Sequence, residues 1–188
     1  MGVWDDLLRK ARDKLWWIKT VFVALSILLL GFTCVFNAFV PSGSMENTIM
    51  GGDRVVGLRV AYIFAPPARG DIVIFNYPDD ESVKYIKRII GLPGETVSFK
   101  DGDVYINDTL LEEDYTKTPH STYCDKEFSV PQNSYFLLGD NRENSKDSRY
   151  WSEPYVKRGK ILAKAIISYY GTYNKNGQIK QGFHLKGL

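Results

Sequence analysis

The chain has 188 residues, of which 24 are Lys or Arg and 22 are Asp or Glu, so its formal net charge is +2. This length suits one domain of ordinary size with a short appendage and argues against two full domains. Residues 41–188 carry equal numbers of basic and acidic side chains. That balance argues against nucleic acid as a partner, because phosphate binding normally needs a basic surplus.

The first element along the chain is an uncharged run over residues 20–40, TVFVALSILLLGFTCVFNAFV. At about 1.5 Å per residue it would form a helix roughly 30 Å long, which matches the hydrocarbon thickness of a bilayer. The alternatives are a cleaved signal peptide, whose apolar core is usually only about 7 to 15 residues long, and a buried core helix, which rarely stays uncharged this far. The run therefore predicts a transmembrane helix that anchors the chain in the lipid bilayer.

Residues 1–19 precede this run and contain five Lys or Arg against three Asp. Trp16 and Trp17 lie where an interfacial aromatic belt is expected. Clustered Lys and Arg favour the cytoplasmic side, so we predict a single-pass protein of the cytoplasmic (inner) membrane. Its segment 1–19 would be cytoplasmic and its domain 41–188 extracytoplasmic.

Beyond residue 40, short apolar runs rich in β-branched and aromatic residues recur between turn signals. They read RVVGLRVAYIF, DIVIFNY, SVKYIKRII, TVSFK, DVYIND, SYFLLGD and ILAKAIISYY. Their spacing and period-two alternation predict an all-β domain of many short strands. No helical stripe of comparable length follows residue 40.

Residues 100–134 break this regular spacing. FKDGDVYIND places Asp101-Gly102 between two alternating runs, which is a strong hairpin signal. The following stretch, LLEEDYTKTPHSTYCDKEFSVPQNS, is polar and lacks periodicity until Phe128. We predict a hairpin plus a long loop inserted into the main β domain. Long loops are usually either functional or disordered, and both alternatives stay open.

The two cysteines do not suggest a cross-link. Cys34 lies inside the predicted span and Cys124 in the polar loop, so they are not placed to pair within one chain. Neither a disulfide framework nor a cysteine metal site is indicated. We expect neither a metal nor another cofactor.

The histidines are poor candidates for catalysis. A Ser-His-Asp hydrolase needs a histidine to take the serine proton, and this chain has only His120, in TPHST, and His184, near the end. Each is better explained as a solvated surface residue. A serine nucleophile would therefore need another base. Lysine can serve when burial lowers its pKa towards the working pH.

One lysine lies on an apolar strand face. In SVKYIKRIIG, alternation puts one set of side chains on the same face: Val83, Tyr85, Lys87 and Ile89. Lys87 is the only charge there. Its stem could pack on that face while the ammonium reaches water, or the amine could be desolvated, neutral and available as a general base. Both interpretations stay open on the residues alone.

A polar segment, GDNRENSKDSRYW, follows the apolar strand SYFLL. It is crowded with Asp, Asn, Arg and Ser, which pair with one another and with backbone groups to hold rigid loops. A solvated turn is one interpretation. A rigid support that holds catalytic groups in place is the other.

Four segments in this order resemble the bacterial type I signal peptidases, the membrane-anchored Ser/Lys endopeptidases that remove signal peptides. They are VPSGSMENTI (40–49), GDIVIFNYP (70–78), YIKRIIGLPGE (85–95) and GDNRENSKDSRYW (139–151). Together with the apolar run, the resemblance covers nearly the whole chain. It implies a mainly β fold, with the antiparallel β-sheet catalytic domain of that family after one N-terminal transmembrane helix.

The resemblance also implies residue roles. Ser44 would be the nucleophile and Lys87 its general base, while Ser42 would supply its hydroxyl, with the Ser44 backbone N–H, to the oxyanion hole. Ser145 would hydrogen-bond the Lys87 amine and orient it. An ionic scaffold behind the site would consist of Arg88, Asp140, Arg142, Asp147 and Arg149. Shallow substrate pockets would be lined by Val40, Met45, Tyr85 and Ile86.

The substrates implied by the resemblance are secretory preproteins. These carry small residues at the first and third positions before the cut, in the A-x-A manner, and would bind extended along a strand edge. Two positions depart from the family's pattern: Asn47 replaces the usual proline, and Ser152 replaces the glycine usual after Trp151. Asn tolerates turns but does not preset φ as proline does. The eukaryotic and archaeal branch uses histidine as the base, so Lys87 indicates the bacterial type.

Two rival functions fit the same residues. A maturation protease of a conjugation system would share Ser and Lys but cut one dedicated partner. A membrane-tethered β module with an inactive Ser-Lys pair would only bind secreted chains. The self-cleaving SOS repressors share the dyad and fold but are soluble and carry a DNA-binding domain, so the predicted span and the neutral outer part exclude them.

Overall fold

A computed structural model describes residues 2–175 and 178–188. It divides the chain into two compact units, Met1–Val35 and Phe36–Leu188. The first unit is dominated by a single helix. The second contains the β-sheets and all the residues predicted to do chemistry.

Helix α1 spans Val3–Cys34 and has 32 residues. It begins well before the predicted span and ends before residue 40, so the predicted helix boundary at its C-terminal end is wrong. Residues Val35–Phe39 form strand β1 instead, with exposed and half-buried side chains in strict alternation. Strand β1 adjoins a second strand, which gives its backbone groups partners, and its β-branched and aromatic residues suit a pleated surface.

No helix within the described ranges has both the length and the hydropathy that crossing a membrane requires.

The large sheet lies in the second unit. Its strands follow the order β1-β2-β11-β3-β4-β9-β10, and β12 also pairs with β11. The strands after β1 are β2 (Arg54–Leu58), β3 (Ile72–Tyr77), β4 (Asp80–Gly91), β9 (Ser134–Leu138), β10 (Tyr155–Lys157), β11 (Ile161–Lys175) and β12 (Gln178–Gly187). The pairings among these seven strands are antiparallel, so the predicted mainly β, antiparallel fold is confirmed.

Strand β4 passes through the middle of this sheet. Lys87 pairs in register with Val73 on β3, and Arg88 pairs with Leu138 on β9. Val73 belongs to an apolar cluster together with buried aromatic residues, whereas Ile72, one residue earlier, belongs to a different cluster. Because side chains alternate along a strand, the two faces of the sheet pack against separate cores. Lys87 is therefore carried by a central strand with partners on both sides.

A smaller sheet has the order β7-β6-β5-β8. Its strands are β5 (Thr96–Lys100), β6 (Asp103–Ile106), β7 (Thr109–Leu110) and β8 (Phe128–Ser129). The predicted hairpin is confirmed, since Lys100 pairs with Asp103 across Asp101 and Gly102. Both turn residues have positive φ, 53° and 85°. At Gly102 a Cβ would lie 2.0 Å from the His120 carbonyl oxygen, so only glycine fits.

The prediction of a hairpin plus loop over 100–134 is too simple. The small sheet begins at Thr96, before the predicted boundary, and β8 lies inside the predicted loop. Residues 111–127 do lack strands, but Leu111, Tyr115 and Cys124 pack against the apolar cluster under this sheet. Single buried side chains without a period are invisible to pattern analysis, yet they tie the segment to the domain.

Two further segments have a secondary structure that differs from the one their sequence predicts. The run RVVGLRVAYIF predicts one strand, but after β2 the chain forms a short 3-10 helix at Arg59–Tyr62. The polar segment Gln178–Gly187 was not predicted as a strand and becomes β12 because β11 supplies its hydrogen-bond partners. As a result His184 is half-buried, and its Nε2 lies 3.2 Å from Ser168 Oγ. Its predicted position as a solvated residue is wrong.

Candidate active site

The structure brings Ser44 and Lys87 into direct contact. Lys87 Nζ donates a hydrogen bond to Ser44 Oγ at 2.6 Å, across 43 residues of sequence. Both residues are almost inaccessible, with 6% of Ser44 and 4% of Lys87 exposed. A second hydrogen bond runs from Lys87 Nζ to the Ile86 carbonyl oxygen at 3.1 Å. The predicted nucleophile and base are therefore adjacent and shielded from water.

Ser44 is held by the turn that follows β1. Val40 N donates to Asp53 O at 2.9 Å, and Gly52 N donates to Val40 O at 2.7 Å, so the two ends of the loop are tied together. Met45 and Ile49 are completely buried in the apolar cluster below it. These two side chains anchor the loop, because withdrawing them would expose large apolar surfaces.

Burial decides the electrostatics of Lys87. It lowers the pKa of the Lys87 ammonium from 10.5 to about 8, while the negative charges of Asp147 and Asp140 raise the pKa and partly oppose the effect. Lys87 Nζ also lies 5.5 Å from the centroid of the Tyr85 ring. The interpretation in which the ammonium reaches water is therefore wrong. The amine is desolvated, as the apolar strand face suggested.

The two other predicted serines lie beside this pair. Ser42 Oγ donates to Ser44 Oγ at 3.4 Å, near the upper limit for a hydrogen bond. Ser145 Oγ is buried and has no hydrogen-bond partner among the described residues, so the predicted bond to Lys87 is not formed in this structure. A Cβ placed on Gly139 would lie 2.2 Å from Ser145 Oγ and 2.5 Å from Ser44 O. Ser145 therefore packs closely against the same loop.

Arg88 and Asp140 form the first part of the predicted ionic scaffold. Arg88 Nε and Nη2 donate to the two carboxylate oxygens of Asp140 at 2.9 and 2.6 Å. Thr48 Oγ1 donates to Asp140 Oδ2 at 2.5 Å. Arg88 lies on β4, directly after Lys87, and Asp140 lies in the loop after β9. This bidentate pair therefore joins the strand that carries Lys87 to that loop.

The second part is built on Asp147, which is fully buried. Arg149 Nε and Nη2 donate to its carboxylate at 2.9 and 3.0 Å, and Gly139 N donates to Asp147 Oδ2 at 3.1 Å. Arg142 does not pair with an aspartate of this segment. Its guanidinium instead forms a bidentate pair with Glu113, at 2.8 and 2.6 Å. Segment 139–151 is thus a paired, largely buried support rather than a solvated turn.

Glu113 completes the charge balance of Arg142 and was not predicted as a functional residue. It lies in the aperiodic stretch 111–127, where nothing in the sequence singles it out. Thr48 and Asn141 were also missed, although both lie inside the quoted segments, 40–49 and 139–151. Segment 139–151 contains two Arg and two Asp, so its composition does not indicate that Arg142 takes its partner from elsewhere in the chain.

A groove of about 670 Å³ opens beside Ser44 and Lys87. That volume lies within the range of small-ligand sites. Three of the four predicted pocket residues line it, namely Val40, Tyr85 and Ile86. Met45 does not, because its side chain is directed into the apolar core. Its predicted pocket role is therefore wrong, and its role is to anchor the loop.

Comparison with known proteins identifies the family. The family model described as "Signal peptidase, peptidase S26" matches residues 14–170. The chain belongs to the signal peptidase family. The predicted resemblance is confirmed, and this signal peptidase is a type I enzyme, a peptide bond hydrolase of the serine peptidase class.

Relatives from cyanobacteria are similar to this signal peptidase over most of its length. A "Probable signal peptidase I-2" from Synechocystis sp. is 41% identical over 159 residues, covering 81% of this chain and 71% of the relative. "Signal peptidase I" from Leptolyngbya laminosa is 39% identical over 173 residues, covering 86% and 82%. A crystal structure of a signal peptidase I from Enterococcus faecalis is 37% identical and covers 52% of this chain and 95% of that chain, with a TM-score of 0.44.

Proposed function

We propose that this protein cleaves N-terminal signal peptides from secretory preproteins after small-x-small sites, with Ser44 as the nucleophile and Lys87 as the general base. The observation that carries the proposal is the 2.6 Å contact between two buried side chains. A serine needs an adjacent base to become a nucleophile, and a desolvated lysine is such a base.

The reaction would begin with neutral Lys87. With a pKa of about 8, roughly one tenth of the enzyme carries the neutral amine at pH 7 and about half at pH 8. Ser44 Oγ attacks the carbonyl carbon of the scissile bond while its proton passes to Lys87 Nζ. The ammonium then donates that proton to the leaving amine, which departs as the new N-terminus of the mature protein.

The acyl-enzyme would be resolved by water. Lys87, neutral again, takes a proton from the attacking water molecule, and the proton returns to Ser44 Oγ when the acyl group leaves. Asp140 and Asp147 stabilise the ammonium while it exists, since their charges oppose the effect of burial. No cofactor is needed for any of these proton transfers.

The tetrahedral oxyanion would be stabilised by the Ser42 hydroxyl and the Ser44 N–H. No residue in the described ranges accepts a hydrogen bond from this N–H, and the Ser42 hydroxyl makes only one long bond, so both donors are available. Removing such a donor typically lowers kcat by about 100- to 1,000-fold. The Ser145 hydroxyl is buried and has no hydrogen-bond partner within the described part of the chain, so it is suited to orient the Lys87 amine once that amine moves during the reaction.

The groove supports the proposed substrate preference. Residues 36–42 and 83–87 line it together, so an extended peptide would lie between two stretches of chain with the scissile bond at Ser44. Val40, Tyr85 and Ile86 would leave only shallow space for the side chains before the cut. Small residues at the first and third positions would fit best there.

We place the reaction at the outer face of the cytoplasmic membrane, with the N-terminus inside and α1 held by the lipid bilayer. Many apolar side chains of α1 are more than half exposed, including Phe22 and Leu28. Contiguous exposed apolar surfaces of this kind normally mark contacts with a membrane or with another protein. The test is carbonate extraction combined with protease digestion of cells stripped of their wall and of any outer membrane. Release of the protein by carbonate, or full protection of the β domain, would refute this location.

Turnover of a preprotein tests the main proposal. The protein, purified in detergent, should cleave a preprotein carrying a generic A-x-A site, whereas Ser44→Ala and Lys87→Ala should not. The matched controls are Ser129→Ala and Lys157→Ala, at exposed strand positions. Wild-type cleavage by either of the first two variants would refute the dyad. Failure to cut any generic A-x-A site, with cleavage of one dedicated partner, would instead indicate a maturation protease.

A further inference from the structure

Asn141 holds both sides of Ser44 through two different groups. Its side-chain Nδ2 donates to the Gly43 carbonyl oxygen at 3.0 Å, and its backbone N donates to the Ser44 carbonyl oxygen at 3.1 Å. Asn141 itself is buried, with only 3% of its surface exposed. The peptide groups before and after the serine are thus tied to the loop after β9.

The first of these bonds sets the direction of one particular N–H. The Gly43 carbonyl and the Ser44 N–H belong to the same peptide group, which is planar and trans. Their C=O and N–H vectors therefore point in opposite directions. When Asn141 holds the carbonyl on one side, the N–H must point to the other. A second donor, Glu46 N at 3.2 Å from Gly43 O, reinforces the same orientation.

The orientation of the Asn141 amide is itself constrained. Nδ2 lies 3.0 Å from the Gly43 carbonyl and 3.4 Å from the Glu46 carboxylate, and both neighbours can only accept hydrogen bonds. The amide nitrogen, with its two hydrogens, is the only end of the side chain that satisfies both. Glu46 Oε2 in turn accepts a hydrogen bond from Lys117 Nζ at 2.7 Å.

Lys117 comes from the aperiodic segment 111–127 and is attached to the loop after β9 as well. Its backbone N donates to the Asp140 carbonyl oxygen at 3.0 Å. The Glu46 carboxylate that it holds lies directly over Gly43, because a Cβ on Gly43 would come 2.2 Å from Glu46 Oε1. The segment therefore reaches the peptide before Ser44 through a continuous chain of contacts from Lys117 to Glu46 to Asn141.

We propose, building on the function above, that Asn141 is a positioning residue for the oxyanion hole. It directs the Ser44 N–H towards the site where the oxyanion develops, and Lys117 and Glu46 keep the Asn141 amide in place. Segment 111–127 thus stabilises residues 40–53, the loop that carries Ser44. Asn141 does not touch the substrate, and its side chain acts through the Gly43 peptide group.

The test compares the cleavage kinetics of Asn141→Ala and Asn141→Leu with those of wild type, on one preprotein. The Leu variant is similar in size, cannot donate to the Gly43 carbonyl and adds no charge near Lys87. Because an oxyanion donor acts only in the transition state, we expect kcat to fall about tenfold or more while KM stays within about twofold. The pH midpoint of kcat/KM should not move, since Lys87 keeps its surroundings.

Lys117→Met provides a milder variant with a matched control. Its pair with Glu46 leaves the lysine side chain 45% exposed, comparable with the 39% of Lys160 in its pair with Glu81. We expect Lys117→Met to lower kcat about threefold. Lys117→Arg, which keeps the positive charge, should have the kcat of the wild type, and so should Lys160→Met. Because Lys117 is exposed, its replacement tests the role of segment 111–127 even if the Asn141 variants do not fold.

Three results would overturn the proposal: unchanged kcat in folded Asn141 variants, a loss confined to KM, or a displaced pH midpoint, which would place the effect on Lys87. An unchanged kcat for Lys117→Met would show that segment 111–127 does not help to keep the Asn141 amide in place. The wild type and Ser44→Ala are measured in parallel. If the wild type does not cleave the preprotein, the proposed function fails. If it does and Ser44→Ala does not, a neutral Asn141 refutes only the positioning role.

Discussion

Replacing Lys87 with Met should make the protein inactive and, at neutral pH, more stable. Burial lowers the pKa of Lys87 from 10.5 to about 8, so the folded state disfavours the ammonium relative to the unfolded chain. A fall of the pKa from 10.5 to about 8 corresponds to roughly 3 kcal/mol of free energy of unfolding. Met is similar in length and carries no charge, so it avoids this cost. It also leaves Ser44 Oγ without its partner, which costs about 1 kcal/mol.

The sign of this effect depends on pH in a defined way. Below about pH 8 the lysine is charged in both states, and the whole cost is present. Between about pH 8 and 10.5 the unfolded chain still binds the proton while the folded protein has lost it, so the stability of the wild type rises with pH. The Met variant should therefore be about 2 kcal/mol more stable at pH 7 and about equal to wild type at pH 10.

Urea unfolding measures this difference at the two pH values, followed by the change in total tryptophan fluorescence when buried Trp151 becomes exposed. The matched control is Lys84→Met, on the same strand but exposed, which should change the free energy of unfolding by less than about 0.5 kcal/mol. A Met variant that is less stable than wild type at pH 7, or a difference that does not vary with pH, would show that Lys87 is not desolvated as described.

The remaining predictions concern the pH profile and the support of the site. The kcat/KM of the wild type should rise about tenfold from pH 6 to 7 and level off above pH 8, because the base must be neutral and the pKa of Lys87 is about 8; a flat profile over this range would exclude Lys87 as the base. Gly139→Ala should abolish cleavage of the preprotein, since its Cβ would lie 2.5 Å from the Ser44 carbonyl oxygen. The control Gly159→Ala, whose Cβ would have no atom within 4 Å, should cleave the same preprotein at the wild-type rate. Glu113→Ala should lower the free energy of unfolding by about 3 to 5 kcal/mol in a denaturant titration, because it leaves the buried Arg142 guanidinium without its carboxylate partner. A loss below about 1 kcal/mol would show that water replaces the carboxylate.

Strand periodicity predicted most of the large sheet, because alternation reports directly on which side chains face a core. The runs that became β3, β4 and β9 are continuous strands in the structure, and the alternation around Lys87 by itself indicates an apolar face. The turn residues Asp101 and Gly102 predicted their hairpin for an equally local reason, since the positive φ angles of such a turn select them.

Where pattern analysis failed, a distant partner had overridden local preference. Residues 35–39 continue an apolar run that reads as helix, yet they adjoin β2 and become a strand. Gln178–Gly187 has little apolar character and is a strand only because β11 lies beside it. Met45 resembles a pocket residue by its place next to the nucleophile, but the turn after β1 directs it into the core.

The sequence by itself determined which reactive groups are present, on which local elements they lie, and to which family the chain belongs, because these depend on residue types at short spacing. Only the tertiary structure decided that Ser44 and Lys87 meet at 2.6 Å, that Lys87 is desolvated, and that Glu113 pairs with Arg142. Those properties arise from residues far apart in the chain, and neither a contact across 43 residues nor the exclusion of water leaves a periodic trace in the sequence.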